Sequence, residues 1–318
     1  MGSFLEAFRS QAGESGTLRF DRFVELALYH PDLGYYRRPR PRVGTGPGTD
    51  FYTAATSGPV FGEMILAAVS GLLGGQNLAA YTFVEVGAES AGGILAGLAH
   101  PFGAARTLRL GEPLAVEGLC VVFSNELFDA QPFRRFQVRN GSWRELGVKL
   151  GPGGLEEAEL STLLPDFLPG DAGEGYQLDA PTDAATLART IAAGHWQGLF
   201  LACDYGKSWQ ELAYGTPSGT ARAYRRHRQS NDLLANPGEQ DLTSHVCWDW
   251  LIQALQDQGF SQTAVESQEA FFVRHAGAYI EQVAAQEAAR FSARKQSLLQ
   301  LLHPSHLGRK FQVLHGIR

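Results

Sequence analysis

The chain has 318 residues, 44% hydrophobic and 19% charged, ordinary for a globular protein and enough to bury a large core. A net charge of −6 argues against general nucleic-acid binding, and three cysteines without a CxxC pair exclude a disulfide framework. No apolar run suits a signal peptide or membrane span, so a reducing cytoplasm is the expected location, with Cys120 and Cys203 as buried thiols.

Residues 1–36 read as helical, with Phe20, Phe23, Leu26 and Ala27 on one face and Pro31 as the stop. RRPRPRVGTGPGTD (37–50) holds too much proline and glycine for regular structure and reads as a flap loop. A helix follows from about Pro59 to Leu73, closed by Gly74-Gly75. Three short apolar runs of the buried parallel-strand type come next: YTFVEVG (81–87), LCVVFSNE (119–126) and LFLACDYG (199–206). Helical stretches lie around 91–99, 182–194 and 244–258. Residues 133–150 alternate about Asn140-Gly141 and predict a hairpin, whereas LGPGGLEEAEL (150–160) reads as a loop. Residues 222–246 read as a further broken loop, 270–302 as helical, and KFQVL as a last strand. The expected division is an N-terminal helical region and flap over 1–75, then an α/β domain over 76–318. That domain would carry the inserted hairpin and a substrate-side loop and helical region over 207–302.

Strands alternating with helices point to a doubly wound α/β sheet, in which ligands gather beyond the carboxyl ends of the strands. Glu85-Val86-Gly87 closes the first run, Asn125-Glu126 with Asp129 the second, and Asp204-Tyr205-Gly206 the third. Plainer readings stand beside this one: a strand-to-helix turn at Gly87, a helix cap or turn at Asn125 and Asp129, a solvated surface for 222–246. No histidine pair has the spacing of a zinc site, so no metal is expected. GxSxG, P-loop and HExxH patterns are absent.

Taken in order, LALYHPDLGYY, TDFYTAATSGPVFGE, FVEVGAES, SNELFDAQPFRRF, LACDYG, GTARAYRRHR, NPGEQDLTSHV, SQEAFF and LGRKFQVL span nearly the whole chain. They resemble the MidA-like (DUF185) S-adenosylmethionine-dependent methyltransferase family, which includes a mitochondrial protein-arginine methyltransferase. The resemblance implies a Rossmann-like class I methyltransferase fold, mostly parallel with helices on both faces. It implies S-adenosylmethionine as cofactor and methyl transfer to an arginine of a partner protein. Catalytic roles are implied for Glu126, Asp129 and Asp204, with Glu126 and Asp129 clamping the planar guanidinium. Cofactor contacts are implied for Phe51, Thr53, Glu63, Glu85, Gly87, Glu112 and Asn125, and substrate contacts for Tyr205, Arg222, His227, Asp241 and His245. The expected partner is a protein carrying the target arginine, without membrane or nucleic acid, and a homodimer is compatible with the sequence.

Three departures stand out. The family's ExGPGxG turn reads here EVGAESA, with Glu89 where a glycine would let the backbone approach the cofactor. The interval from Gly93 to Leu119 is short and leaves room for the loss of a whole β-α unit, with Glu112 as a stand-in for the ribose acid. Thr56 and Cys247 stand where the family has carboxylates. These departures define a second reading, a family member with a degenerate cofactor site acting as a protein-binding or assembly factor. A third, anion or nucleic-acid binding through RRPRPR and RAYRRHR, would require salt-sensitive binding.

Overall fold

The computed structural model describes residues 2–38, 42, 44, 49–50, 58–89, 92–288 and 292–318. The chain opens with α1 (Gly2–Ala12), β1 (Thr17–Arg19), α2 (Phe20–Tyr29), α3 (Pro59–Leu72), β2 (Thr82–Val86), β3 (Ala104–Leu108) and β4 (Gly118–Asn125). Next come β5 (Arg134–Arg139), β6 (Ser142–Gly151), β7 (Gly154–Leu160), β8 (Gln177–Ala180), α4 (Thr182–Ala192), β9 (Trp196–Asp204), β10 (Gly206–Lys207) and α5 (Trp209–Tyr214). The remainder is β11 (Arg222–Arg225), β12 (Arg228–Ser230), β13 (Asp241–Thr243), β14 (Val246–Cys247), α6 (Trp248–Gln256) and β15 (Ser261–Ser267). It closes with α7 (Gln268–His275), α8 (Gly277–Gln286), α9 (Ala293–Leu302) and β16 (Gln312–Ile317).

Close contacts gather these elements into two compact units, each drawn from three stretches of chain. The first holds residues 1–51, 128–187 and 207–250; the second holds 52–127, 188–206 and 251–318. The boundary expected at residue 75 therefore does not divide them. Helix α3 belongs to the second unit because its apolar side chains at helical spacing, Phe61, Met64, Ile65 and Ala68, are buried in that unit's core.

The second unit is built on a six-stranded sheet of order β15-β16-β9-β4-β2-β3. Strands β9, β4, β2 and β3 are parallel, and β16 runs antiparallel to both of its neighbours. The three predicted apolar runs are the central strands. Their side chains Phe83, Val121, Phe123, Leu199 and Leu201 are buried with Phe61 of α3 and Phe271 and Phe272 of α7. Phe61 stands edge-on to Phe272 with ring centroids 6.2 Å apart. Each such side chain, removed from water, stabilises the fold by about 1.5–3 kcal/mol.

The helix expected around 91–99 is not found among the described residues. Residues 92–99 form only a single 3-10 turn at Gly93–Leu95, and Gly93 and Gly97 take the left-handed values φ 58° and 74° that a helix cannot continue through. Among the described residues no helix lies between β3 and β4 either, so β3 is the edge of the sheet. The short interval read in the sequence corresponds to a sheet that stops one strand beyond β2.

The first unit carries a second sheet, β1-β6-β5-β8, with β7 paired to β6. The predicted hairpin is β5–β6, turning at Asn140 (φ 53°) and Gly141 (φ 69°) as a type I′ turn requires. Two expected loops are strands instead. Residues 154–160 pair with β6, and cross-strand ion pairs tie Glu156 to Lys149 at 3.2 Å and Glu157 to Arg135 at 2.7 Å. Within 222–246, β11, β12 and β13 form a three-stranded antiparallel sheet. Phe4, Phe8, Phe20, Phe23, Phe133 and Val148 fill this unit's core, as the face read for α2 predicts.

Candidate functional site

In a doubly wound sheet the cleft opens at the carboxyl edge, where the strand order reverses. Here the chain runs from β2 outward to β3 and then returns to β4 on the other side of β2, so the reversal lies between β2 and β4. Residue 87 follows the tip of β2. Gly87 has φ 80°, donates its N–H to Leu108 O at 2.8 Å, and would place a Cβ 2.7 Å from Leu127 Cδ1. The backbone angle favours glycine, and a Cβ there would have to displace the tip of the Leu127 side chain.

Strand β4 pairs with β9 as far as Asn125 opposite Cys203, and Glu126 N–H extends the ladder by donating to Cys203 O at 2.9 Å. At Glu126 the backbone takes φ 50°. A left-handed non-glycine residue of this kind costs about 1 kcal/mol or more and collects at functional sites. Asn125 Nδ2 donates to Glu126 Oε1 at 3.1 Å, while Asn125 Oδ1 is buried and without a hydrogen-bond partner. Unpaired buried acceptors are rare in native interiors, and this one offers a place for a ligand donor. On β9, Asp204 is fully buried and its Oδ1 accepts the Tyr205 N–H at 2.8 Å. Tyr205 packs edge-on to Phe311, and Gly206 N–H donates to Gln312 Oε1 at 3.0 Å. Burial pushes the neighbouring Cys203 thiol strongly up, so it stays protonated.

The structure thus brings Gly87, Asn125, Glu126, Asp204 and Tyr205 to one edge of one sheet. Three other expected cofactor contacts are met by internal partners. Glu85 is buried and accepts the Ile94 N–H at 2.7 Å; burial raises its pKa to about 7, against the opposing effect of that hydrogen bond. Glu63 is engaged by the Tyr279 hydroxyl and by Arg294 Nη2 at 2.9 Å. Glu112 is exposed and accepts the Arg109 N–H at 2.8 Å within its own turn, just past the end of β3. Phe51, Thr53 and Thr56, with residues 45–48 of the flap, lie outside the described residues.

The remaining candidates fall in the first unit: Asp129, Arg222, His227, Asp241 and His245. Asp129 is buried, and its carbonyl accepts the Ser244 N–H at 2.9 Å. Asp241 accepts the Tyr36 hydroxyl at 3.0 Å, and Arg222 Nη1 donates to Ala221 O at 2.6 Å. Neighbouring strands bring Arg222 opposite Thr243 and Tyr224 opposite Asp241. His245 donates its backbone N–H to Thr220 Oγ1 at 3.2 Å, and burial drives its imidazole pKa down to about 4. His227, at φ 59° in the β11–β12 turn, sits 3.1 Å from Thr49 Oγ1 through Nε2.

Two buried carboxylates that organise this unit escaped sequence reasoning. Asp50 accepts the Tyr35 hydroxyl at 2.7 Å and the Arg226 N–H at 2.7 Å, and its carbonyl accepts the His227 N–H. Asp179 pairs with Arg135 at 2.8 Å and accepts the N–H groups of Thr220 and Ala221, both at 2.8 Å. The only signal for them was position: Asp50 lies within TDFYT, and Asp179 interrupts the apolar alternation of QLDA.

The strand-tip residues fit an adenosyl-type cofactor on two counts: an unpaired buried acceptor at Asn125 and a left-handed glycine at the switch point. Glu89 is exposed, so it has solvent to turn into from the place where the family turn has glycine.

Comparison with known proteins agrees with this geometry. Residues 110–265 match a family model described as "Putative S-adenosyl-L-methionine-dependent methyltransferase". The chain is 26% identical over 219 residues to protein arginine methyltransferase NDUFAF7, mitochondrial, of Mus musculus, covering 63% of this chain and 48% of that protein. Its counterpart in Danio rerio is 24% identical over 316 residues, covering 80% and 72%. The chain therefore spans about half the length of the mouse relative. A solved structure from Burkholderia thailandensis bound to S-adenosyl-homocysteine superposes with a TM-score of 0.86 at 24% identity, over 100% of this chain and 92% of that one. The chain is thus similar to a family of putative S-adenosylmethionine-dependent methyltransferases over residues 110–265, and it shares the fold of the Burkholderia thailandensis protein over its whole length.

Proposed function

We propose that the chain is an S-adenosylmethionine-dependent methyltransferase whose acceptor is an arginine of a partner protein. The observation that carries the reading is the strained Glu126 beside the unpaired Asn125 acceptor, on the strand next to Gly87 at the point of strand-order reversal. When bound, S-adenosylmethionine supplies a methyl group already made electrophilic by its sulfonium. The chain's own residues then have only to align donor and acceptor and hold charge. Asn125 Oδ1 would accept a hydrogen bond from the bound cofactor, and Gly87 lets the backbone turn at the cleft. Glu126 holds the guanidinium of the acceptor arginine and takes the proton that its nitrogen gives up on methylation. Asp204 and Tyr205 shape the same edge. Asp129, the other carboxylate expected in the clamp, belongs to the first unit. The arginine acceptor is favoured by the names of the curated relatives.

A second reading, a family member impaired in catalysis that acts as a protein-binding or assembly factor, has one specific observation in its favour. The sheet ends at β3, and Glu112, the candidate for the ribose hydroxyls, is exposed and bound within its own turn. Titration of the purified chain with S-adenosylmethionine separates the two. Saturable heat, with Glu126→Gln binding the cofactor normally but failing to methylate arginine-bearing proteins, is the expected result. No heat at millimolar cofactor selects the second reading, and full activity in Glu126→Gln removes the role of that carboxylate.

A further inference from the structure

Away from the carboxyl edge of the sheet, three residues far apart in sequence meet on one face of β15 and β16. In the antiparallel register Ala264 lies opposite His315 and Glu266 opposite Val313, so Glu266 and His315 are diagonal neighbours with their side chains on the same face. Helix α7 starts directly after β15, and its last residue, His275, returns over that face. Glu266 Oε1 lies 3.3 Å from His275 Nε2 and 3.4 Å from His315 Nε2. The three ligand atoms all fall within 4.8 Å of one another.

We propose that Glu266, His275 and His315 form a binding site for a divalent transition-metal ion of the zinc type. Metal–ligand bonds of about 2.0–2.2 Å at tetrahedral angles place neighbouring ligand atoms about 3.3 Å apart, and both measured separations from Oε1 match that edge. Two imidazoles and one carboxylate are the ligand set of open zinc sites, which leave a fourth position to water. The surroundings are suitable. Side-chain exposure is only 17%, 10% and 9% for His275, His315 and Glu266, so the groups are held rather than solvated. The Phe271 ring lies 5.0 Å from the His275 ring and 5.8 Å from that of His315, fixing both. Arg274 Nη1 holds the other carboxylate oxygen at 2.7 Å, an outer partner that orients Glu266 for single-oxygen ligation. The arginine side chain is 66% exposed, so its charge can swing into water when a cation enters. The site is separate from the proposed methyl-transfer edge: His315 pairs with Leu201, three residues along β9 from Asp204.

The test uses the full chain, stripped with a chelator and titrated with Zn2+ by calorimetry, with Co2+ as a spectroscopic probe. Binding of a single Zn2+ per chain with a raised Tm, and a visible Co2+ band of the low-coordinate kind, is the expected result. His315→Gln and Glu266→Gln should each weaken Zn2+ binding at least tenfold, and His275→Asn serves where those variants fail to fold. The exposed His303–His306 pair, whose rings are 5.2 Å apart, is the control, and a double change to Gln there should leave binding unaltered. Absence of Zn2+ binding, or binding unaffected by His275→Asn, would overturn the site and leave a hydrogen-bonded His–Glu–His cluster. Metal binding is read without methyl transfer, so either outcome is independent of the proposed activity.

Discussion

Replacing Glu85 with glutamine tests how the chain behind β2 is held. The carboxylate is buried and accepts the Ile94 N–H at 2.7 Å, and a Cβ at Gly93 would lie 2.1 Å from Glu85 Oε2, so the carboxyl group fills its space. Burial lifts its pKa from 4.5 to about 7. A carboxyl whose folded pKa lies above its unfolded value favours folding below pH 4.5 relative to higher pH. That contribution is lost as pH rises to about 7, where the buried group finally ionises. At about 1.4 kcal/mol for each pH unit that separates the two values, the whole loss is about 3 kcal/mol. Glutamine keeps an oxygen for the Ile94 N–H and carries no ionisable proton. The stability difference between the parent and Glu85→Gln, measured by urea unfolding at half-unit steps from pH 4 to 8.5, should therefore slope against the parent between pH 4.5 and 7 and be flat on either side. Parallel curves across that range would refute both the burial argument and the placement of Ile94.

Three further changes probe other parts of the molecule. Gly87→Ala meets a left-handed backbone and Leu127 Cδ1 at 2.7 Å, so a loss of about 1–3 kcal/mol in denaturant unfolding is expected, and adding Leu127→Ala should recover only the steric part. Asp179→Ala strips Arg135 of one buried partner and leaves the Thr220 and Ala221 N–H groups without their acceptor; unfolding should show a loss of about 3–5 kcal/mol. His245 has its folded pKa driven from 6.5 down to about 4, so the neutral imidazole favours folding above pH 6.5 and that contribution disappears as pH falls toward 4; His245→Gln should flatten this acid limb of the stability profile.

Much of the second unit is legible from local pattern. The apolar runs that became β2, β4 and β9 are buried on both faces, and their carboxyl ends could be located because a carboxylate, Glu85, Glu126 or Asp204, stands at or near the end of each. Helix α3 is announced by Pro59, and the β5–β6 turn by Asn140-Gly141. The misreadings share one cause. Gly153-Gly154 and the glycines and prolines of 222–246 suggested loops, yet β7, β11 and β13 are strands because partners elsewhere in the chain supply their hydrogen bonds and ion pairs. The opposite error was the helix expected around 91–99, which Gly93 and Gly97 in left-handed conformations cannot sustain while Ile94 is bonded to Glu85.

Sequence by itself therefore determined the central strands, the residues that follow their tips, and the family to which the chain is similar, since all of these depend on neighbours a few positions apart. Tertiary structure alone decided that β3 forms the sheet edge, that Glu63 and Glu85 are engaged internally, and that Glu266, His275 and His315 meet. Those outcomes depend on strand register and on side chains separated by as many as some two hundred positions, and no local periodicity encodes such distances.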